Sequence, residues 1–183
     1  MEALRDDTYR KITSLMYDSI GLSFNDSKKP LVSSRLAPRI QRLGIDGFDD
    51  YLALIAGQTD GGEFQMAIDL LTTNETYFFC EPAHYDLLEQ ELIRTKPRTL
   101  SVWSAASSFG DEAFTTAMLL ADMAQQGRIG SDWRILGTDI SDRVLRSASQ
   151  AVYPEDRLRN VTPERLKRYC LRGDGASEGM VQI

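Results

Sequence analysis

Hydrophobic positions in the first seventy residues recur at helical spacing. Tyr9, Ile12, Leu15, Met16 and Ile20 predict a helix over Thr8–Ile20, ended by Gly21 and the polar cluster Asn25-Asp26-Ser27. Leu31, Leu36, Ile40 and Leu43 mark a second helix, Leu31–Leu43, with Gly44 as its stop. Phe48, Tyr51, Leu52 and Ile55 predict a short helix over Phe48–Ala56, and Phe64, Ala67, Ile68 and Leu71 a fourth over Glu63–Leu71. The connections are short, so residues 1–72 read as a small all-helical unit.

The pattern then changes. Leu71–Phe79 fits neither simple period: Thr72, Thr73, Asn74 and Thr76, whose side chains bond locally, stand against the consecutive aromatics Tyr77, Phe78 and Phe79. Pro82 opens another helix through Leu92 and Ile93, so 73–96 reads as a linker and connecting helix. From about residue 97 strand alternates with helix. The apolar run from Leu100 to Trp103 passes into the small residues Ser104–Gly110, then into an amphipathic segment opened by Asp111-Glu112. A second run from Trp133 to Thr138 ends on Asp139. Strand, small-residue loop, helix, strand and acid is the layout of a βαβ nucleotide-binding unit within an α/β domain over 97–183. Ser141–Gln150 continues as a helix, Val152-Tyr153-Pro154 reads as a break, and Thr162-Pro163 starts a helix to about Tyr169. Leu171–Ile183, with Gly173, Gly175 and Gly179 around a polar centre, reads as the start of a hairpin.

Composition narrows the function classes. The chain has 183 residues, 42% hydrophobic and 26% charged, enough to bury a core. A net charge of −6 argues against bulk nucleic-acid binding. The two cysteines, Cys80 and Cys170, have neither a metal-ligand nor a CxxC spacing, which suits a reducing cytoplasm. The one histidine, His84, reads as structural and leaves little for a His-based metal site or a Ser-His-Asp triad. The acidic start, Met1–Asp7, lacks the apolar stretch of a signal peptide, and no run has the length of a membrane span.

The chemistry-bearing candidates sit around the βαβ unit. The loop Ser104–Gly110 has one glycine where a dinucleotide fingerprint wants three. Glu112, at the N-terminus of the following helix, would repel a pyrophosphate but could face a cation or a sugar hydroxyl; Asp139 has the position of a ribose-gripping acid. The pair favours S-adenosylmethionine, a sulfonium cation bearing a ribose, over NAD. A helix-capping Glu112 and a turn-forming Asp139 are the alternative on pattern alone. Thr73-Asn74-Glu75-Thr76 is either a cofactor-contacting segment or an N-cap with its Asx turn. Arg35, Arg39 and Arg42 share one helix face, either solvated or set to dock an acidic partner.

Several stretches, taken together and in order, resemble the CheR chemotaxis receptor methyltransferases. They are Thr72–Phe79 with Glu81-Pro82, Val102–Glu112, Gly137–Ser141, Tyr153–Leu158 and Leu166–Tyr169; Ser34–Gly44 is similar to the family's basic second helix. The resemblance implies a small N-terminal helical domain followed by an incomplete Rossmann-like S-adenosylmethionine-dependent methyltransferase domain, with a β-subdomain starting near 171. It implies methyl transfer from S-adenosylmethionine, leaving S-adenosylhomocysteine, to glutamate side chains of chemotaxis receptors in the cytoplasm. Asn74, Thr76, Cys80, Glu112 and Asp139 match cofactor-contacting positions, and Arg35, Arg39 and Arg42 would face the acidic methylation segment of the receptor helices.

Two departures shape the expectation. Cys80 stands where the family motif has arginine, and a thiol supplies neither a fixed cation nor five donors. The chain also reaches only Ile183, short of the family's later strands and of its acceptor-side tyrosine. The expectation is an N-terminal portion or a degenerate member that binds cofactor weakly and methylates poorly alone, with self-association through an open sheet edge. The rival expectation is a non-catalytic receptor- or regulator-docking module with a vestigial cofactor site.

Overall fold

A computed structural model describes residues 3–57 and 61–183; Met1 and Glu2, which open the acidic N-terminal run, lie outside it. The chain divides into two compact units, residues 1–73 and 74–183.

The first unit is helical. Helix α1, Asp6–Ile20, begins with Asp6 and Asp7, acids that suit the positive end of a helix dipole, and ends at Gly21 in the left-handed region at φ 73. Helix α2 spans Lys29–Leu43 and is closed by Gly44, whose N–H bonds back into the last turn. Helices α3, Phe48–Gly57, and α4, Gly62–Leu71, complete the unit. Ile12, Met16, Val32, Leu36, Ile40, Tyr51 and Ile55 are wholly buried in its core, so most of the apolar stripes predicted from spacing face inward. In α2, Val32 takes a core place that spacing had not marked, while Leu43, predicted for the stripe, is exposed at the helix end.

The second unit opens with the connector 74–81 and helix α5, Pro82–Thr95. Strand β1, Thr99–Ala105, and strand β2, Asp132–Thr138, pair in parallel, Leu100 opposite Trp133 and Ala105 opposite Thr138. Helix α6, Asp111–Gln125, crosses between them. One face of the pair carries Leu100, Val102, Trp133 and Ile135 against Leu92, Leu119, Leu120 and Met123. The other face carries Trp103 and Leu136, both largely exposed. Helix α7, Asp142–Gln150, is capped by the Ser141 side chain.

Val152–Pro154, expected to be a break, is strand β3. It pairs antiparallel with β5, Met180–Gln182, which also pairs with β4, Leu171–Arg172, in the order β3-β5-β4. The small sheet thus draws its first strand from well before residue 171. Three residues ending in proline show no alternation to read, and the strand is set by burial of Tyr153 against Phe78, Leu158 and Val181. Helix α8, Pro163–Tyr169, lies between β3 and β4, with the Thr162 hydroxyl capping it as expected. Arg165, Arg168 and Tyr169 from α8 all bond to the Asp122 carboxylate of α6.

Candidate functional site

β1 delivers the chain to a loop whose backbone is unusual. Ala106, Ser108 and Gly110 have φ of 55, 51 and 89, and two of these residues carry side chains that disfavour the left-handed region. The loop closes tightly on β2: a β-carbon at Gly137 would come within 2.6 Å of Ser107 Oγ. The Ser107 N–H donates to the Thr138 carbonyl at 2.8 Å.

Asp139 ties the two loops together. Its Oδ2 accepts the Ser108 N–H at 2.8 Å and its Oδ1 accepts the Ser141 N–H at 2.9 Å. Each carboxylate oxygen retains acceptor capacity for a hydroxyl donor. The Ser108 hydroxyl is buried and has no hydrogen-bond partner among the described residues, and the same holds for the Thr76 hydroxyl in the connector. A buried hydroxyl without a partner costs roughly 1–3 kcal/mol, and both oxygens are enclosed, so a ligand reaches either one only if its segment shifts.

The connector is anchored to α6. Phe79 donates its N–H to Thr115 Oγ1 at 3.1 Å, and that hydroxyl donates to the Asp111 carbonyl at 2.7 Å. Phe78 is fully buried, edge-on to Tyr153 with ring centroids 5.0 Å apart, which makes it core rather than site. Phe79 and Glu81 have φ of 55 and 54, so the backbone is sharply turned on both sides of Cys80.

A cleft of 290 Å³ is lined by Cys80, His84, Tyr85, Ser104, Glu112 and Thr116, among others. Glu112 projects exposed from the first turn of α6. Burial, with the charge of Glu112, pushes the Tyr85 hydroxyl up to about 12, so it stays a neutral donor at ordinary pH. The fold therefore brings Cys80 and Glu112 to one cleft. Asp139 and Thr76 are not among the residues that line it, and Asn74 and Thr76 are half-buried in the connector. His84, read as structural, is exposed on the cleft instead. Spacing also gave no sign of Ser108 or Tyr85; the only available signal for Ser108 was its place in a run of small residues before a helix.

The three arginines of α2 fare differently from one another. Arg35 donates to the carbonyls of Leu71 and Thr72, both at 3.0 Å, and to the Thr73 hydroxyl, capping the end of α4. Arg39 grips Glu63 with both arms, at 3.0 and 2.6 Å, while the Tyr51 hydroxyl donates to the same carboxylate. Only Arg42 is exposed and without a partner among the described residues. A shared face follows from spacing; the internal partners of Arg35 and Arg39 come from α4, a different element.

A parallel strand–loop–helix–strand unit, whose terminal acid pins a loop carrying an unpartnered hydroxyl, defines a nucleotide-cofactor site of the α/β type. The chain matches two family descriptions: "CheR methyltransferase, all-alpha domain" over residues 7–72 and "CheR methyltransferase, SAM binding domain" over residues 74–182. The chain belongs to the CheR methyltransferase family. S-adenosylmethionine is the methyl donor for which its second domain is described, and the small residues of the loop and Asp139, which keeps acceptor capacity for hydroxyls, fit such a group. Among similar proteins, the "Chemotaxis protein methyltransferase" of Escherichia coli K12 is 39% identical over 181 residues, covering 99% of this chain and 62% of the relative. That of Salmonella typhimurium LT2 is 36% identical with the same coverage. The "Chemotaxis protein methyltransferase 2" of Pseudomonas aeruginosa is 34% identical, covering 98% of this chain and 63% of the relative. The chain thus spans less than two thirds of the length of these relatives. No helix among the described residues is long and apolar enough to cross a membrane.

Proposed function

We propose that this chain binds S-adenosylmethionine through its second unit and forms part of a cytoplasmic methyltransferase that esterifies glutamate side chains of chemotaxis receptors. The observation that carries the reading is Asp139 at the end of β2, which accepts the Ser108 and Ser141 N–H groups and keeps acceptor capacity for hydroxyl donors. Asn74 and Thr76 from the connector, Cys80 and Glu112 on the cleft, and Asp139 at the end of β2 are the residues assigned to the cofactor.

When bound, S-adenosylmethionine supplies a methyl group on a positively charged sulfur. The task of this chain is then to hold, orient and exclude water. Asp139 offers its remaining lone pairs to ribose hydroxyls, and the Glu112 carboxylate attracts a cation. No side chain here has to move a proton, because an acceptor glutamate enters already ionised at neutral pH. Arg42 is the residue of α2 free to meet an acidic receptor segment; Arg35 and Arg39 can take part only beside their internal partners. The exposed Trp103 and Leu136 face favours association of the β1–β2 pair with further protein, a second copy included.

Titration calorimetry with S-adenosylhomocysteine tests the reading. Saturable heat is expected; no heat at millimolar ligand would overturn it. A second reading, a docking module with a vestigial site, is favoured by Cys80, which puts a cysteine in place of an arginine on the cleft. Receptor binding without any cofactor binding would select it.

A further inference from the structure

A buried ion pair joins the small sheet to the loop after β1, and nothing in the cofactor reading accounts for it. Asp111, the first residue of α6, has no exposed surface. Arg157, in the turn that follows β3, donates to both its oxygens, Nε to Oδ1 at 2.6 Å and Nη2 to Oδ2 at 2.9 Å. The same guanidinium lies over the ring of Phe109, 4.5 Å from its centroid. Tyr153, on β3, donates its hydroxyl to the Phe109 carbonyl at 2.6 Å. Phe109 is therefore held by its ring and by its carbonyl, and it stands directly after Ser108, whose N–H meets Asp139.

Stability alone does not call for this arrangement, since a buried ion pair roughly breaks even against apolar residues of the same volume. What a planar, two-armed guanidinium adds is direction. We infer that Arg157 is a positioning residue for the cofactor loop. Through Asp111 and Phe109 it fixes the strained backbone of Ala106–Gly110, and so sets the place of Ser108 against Asp139 and the affinity for an adenosyl ligand. The small sheet, through the turn that carries Arg157, is thereby mechanically linked to cofactor binding. The inference rests on the cofactor reading for its functional consequence but not for the hold on the loop.

The test compares the wild-type chain with Arg157→Gln and Arg157→Lys by three measurements: affinity for S-adenosylhomocysteine, thermal midpoint, and amide hydrogen exchange of Ser107–Gly110 without ligand. Arg157→Gln is expected to weaken binding about tenfold, within the usual range of coupling between sites. It should also speed exchange in the loop while β1 and β2 keep theirs. Arg157→Lys keeps a charge opposite Asp111 but loses the flat fork over Phe109, so it should recover the midpoint without recovering affinity. Affinity that merely follows the midpoint through both variants would overturn the inference, as would loop exchange at the wild-type rate. If the wild-type chain takes up no ligand, the cofactor reading fails by itself. Loop exchange in the unliganded variants then still decides whether Arg157 holds the loop.

Discussion

Asp139 Oδ2 lies 2.8 Å from the main-chain nitrogen of Ser108, so the acid at the end of β2 shapes the loop that follows β1. Its two oxygens are each engaged once by backbone N–H groups, and any ribose must share them. Asp139→Ala is expected to remove both the loop contact and the ribose acceptor. The loss of two charge-assisted hydrogen bonds weakens S-adenosylhomocysteine binding by at least ~30-fold in calorimetric titration. Asp139→Asn keeps one acceptor oxygen and should lose about tenfold.

Cys80 contributes a small side chain to the cleft that also carries Glu112. Cys80→Arg restores a fixed cation with a fork of donors. One new charge-assisted hydrogen bond of about 1.5 kcal/mol tightens S-adenosylhomocysteine about tenfold, measured in the same titration. An unchanged dissociation constant would show that position 80 does not limit binding.

The arginines of α2 separate stability from docking. Arg39→Ala strands the mostly buried Glu63 carboxylate with only the Tyr51 hydroxyl, and about 3 kcal/mol of stability should be lost in denaturant titration of the whole chain. Arg42→Glu, at an exposed and unpaired position, should change stability by less than ~0.5 kcal/mol while weakening association with an acidic receptor helix.

Acid should destabilise the chain through two carboxylates. Burial raises Glu63, but hydrogen bonds from Arg39 and Tyr51 outweigh it and hold the group below its ordinary value. Asp122 is likewise raised by burial and brought down further by Tyr169, Arg165 and Arg168. A folded-state pKa below the unfolded one means that the stabilisation is fully present above the unfolded value, about 4. It is lost as pH falls through the lower folded values. The thermal midpoint should therefore drop steeply below about pH 4, and Asp122→Asn should make that slope shallower.

How much of this could be read in advance depended on the range of each signal. The helical stripes of α1 and α2 are local, and Ile12, Met16, Leu36 and Ile40 are indeed buried. β1 and β2 were visible as apolar runs bounded by small or acidic residues. β3 was not, because three residues with a terminal proline become a strand only once Val181 and its neighbours lie beside them. The same limit applied at the site. Positions at the ends of elements, such as Glu112 and Asp139, can be located from the pattern. The hold of Arg157 on Asp111 spans 46 residues, and that of Arg39 on Glu63 spans 24, with no periodicity to announce either.

Trp103 sits near the carboxyl end of β1, exposed, with its indole N–H donating at 2.9 Å to Oγ1 of Thr138, the residue directly before Asp139. Its partner indole, Trp133, is packed on the opposite face. The chain therefore carries a natural optical probe: a largely exposed indole lining the cleft and a second, partly buried one on the other face of the strand pair. Quenching of the exposed fluorophore would report occupancy without a label, and Trp133→Phe would isolate its signal.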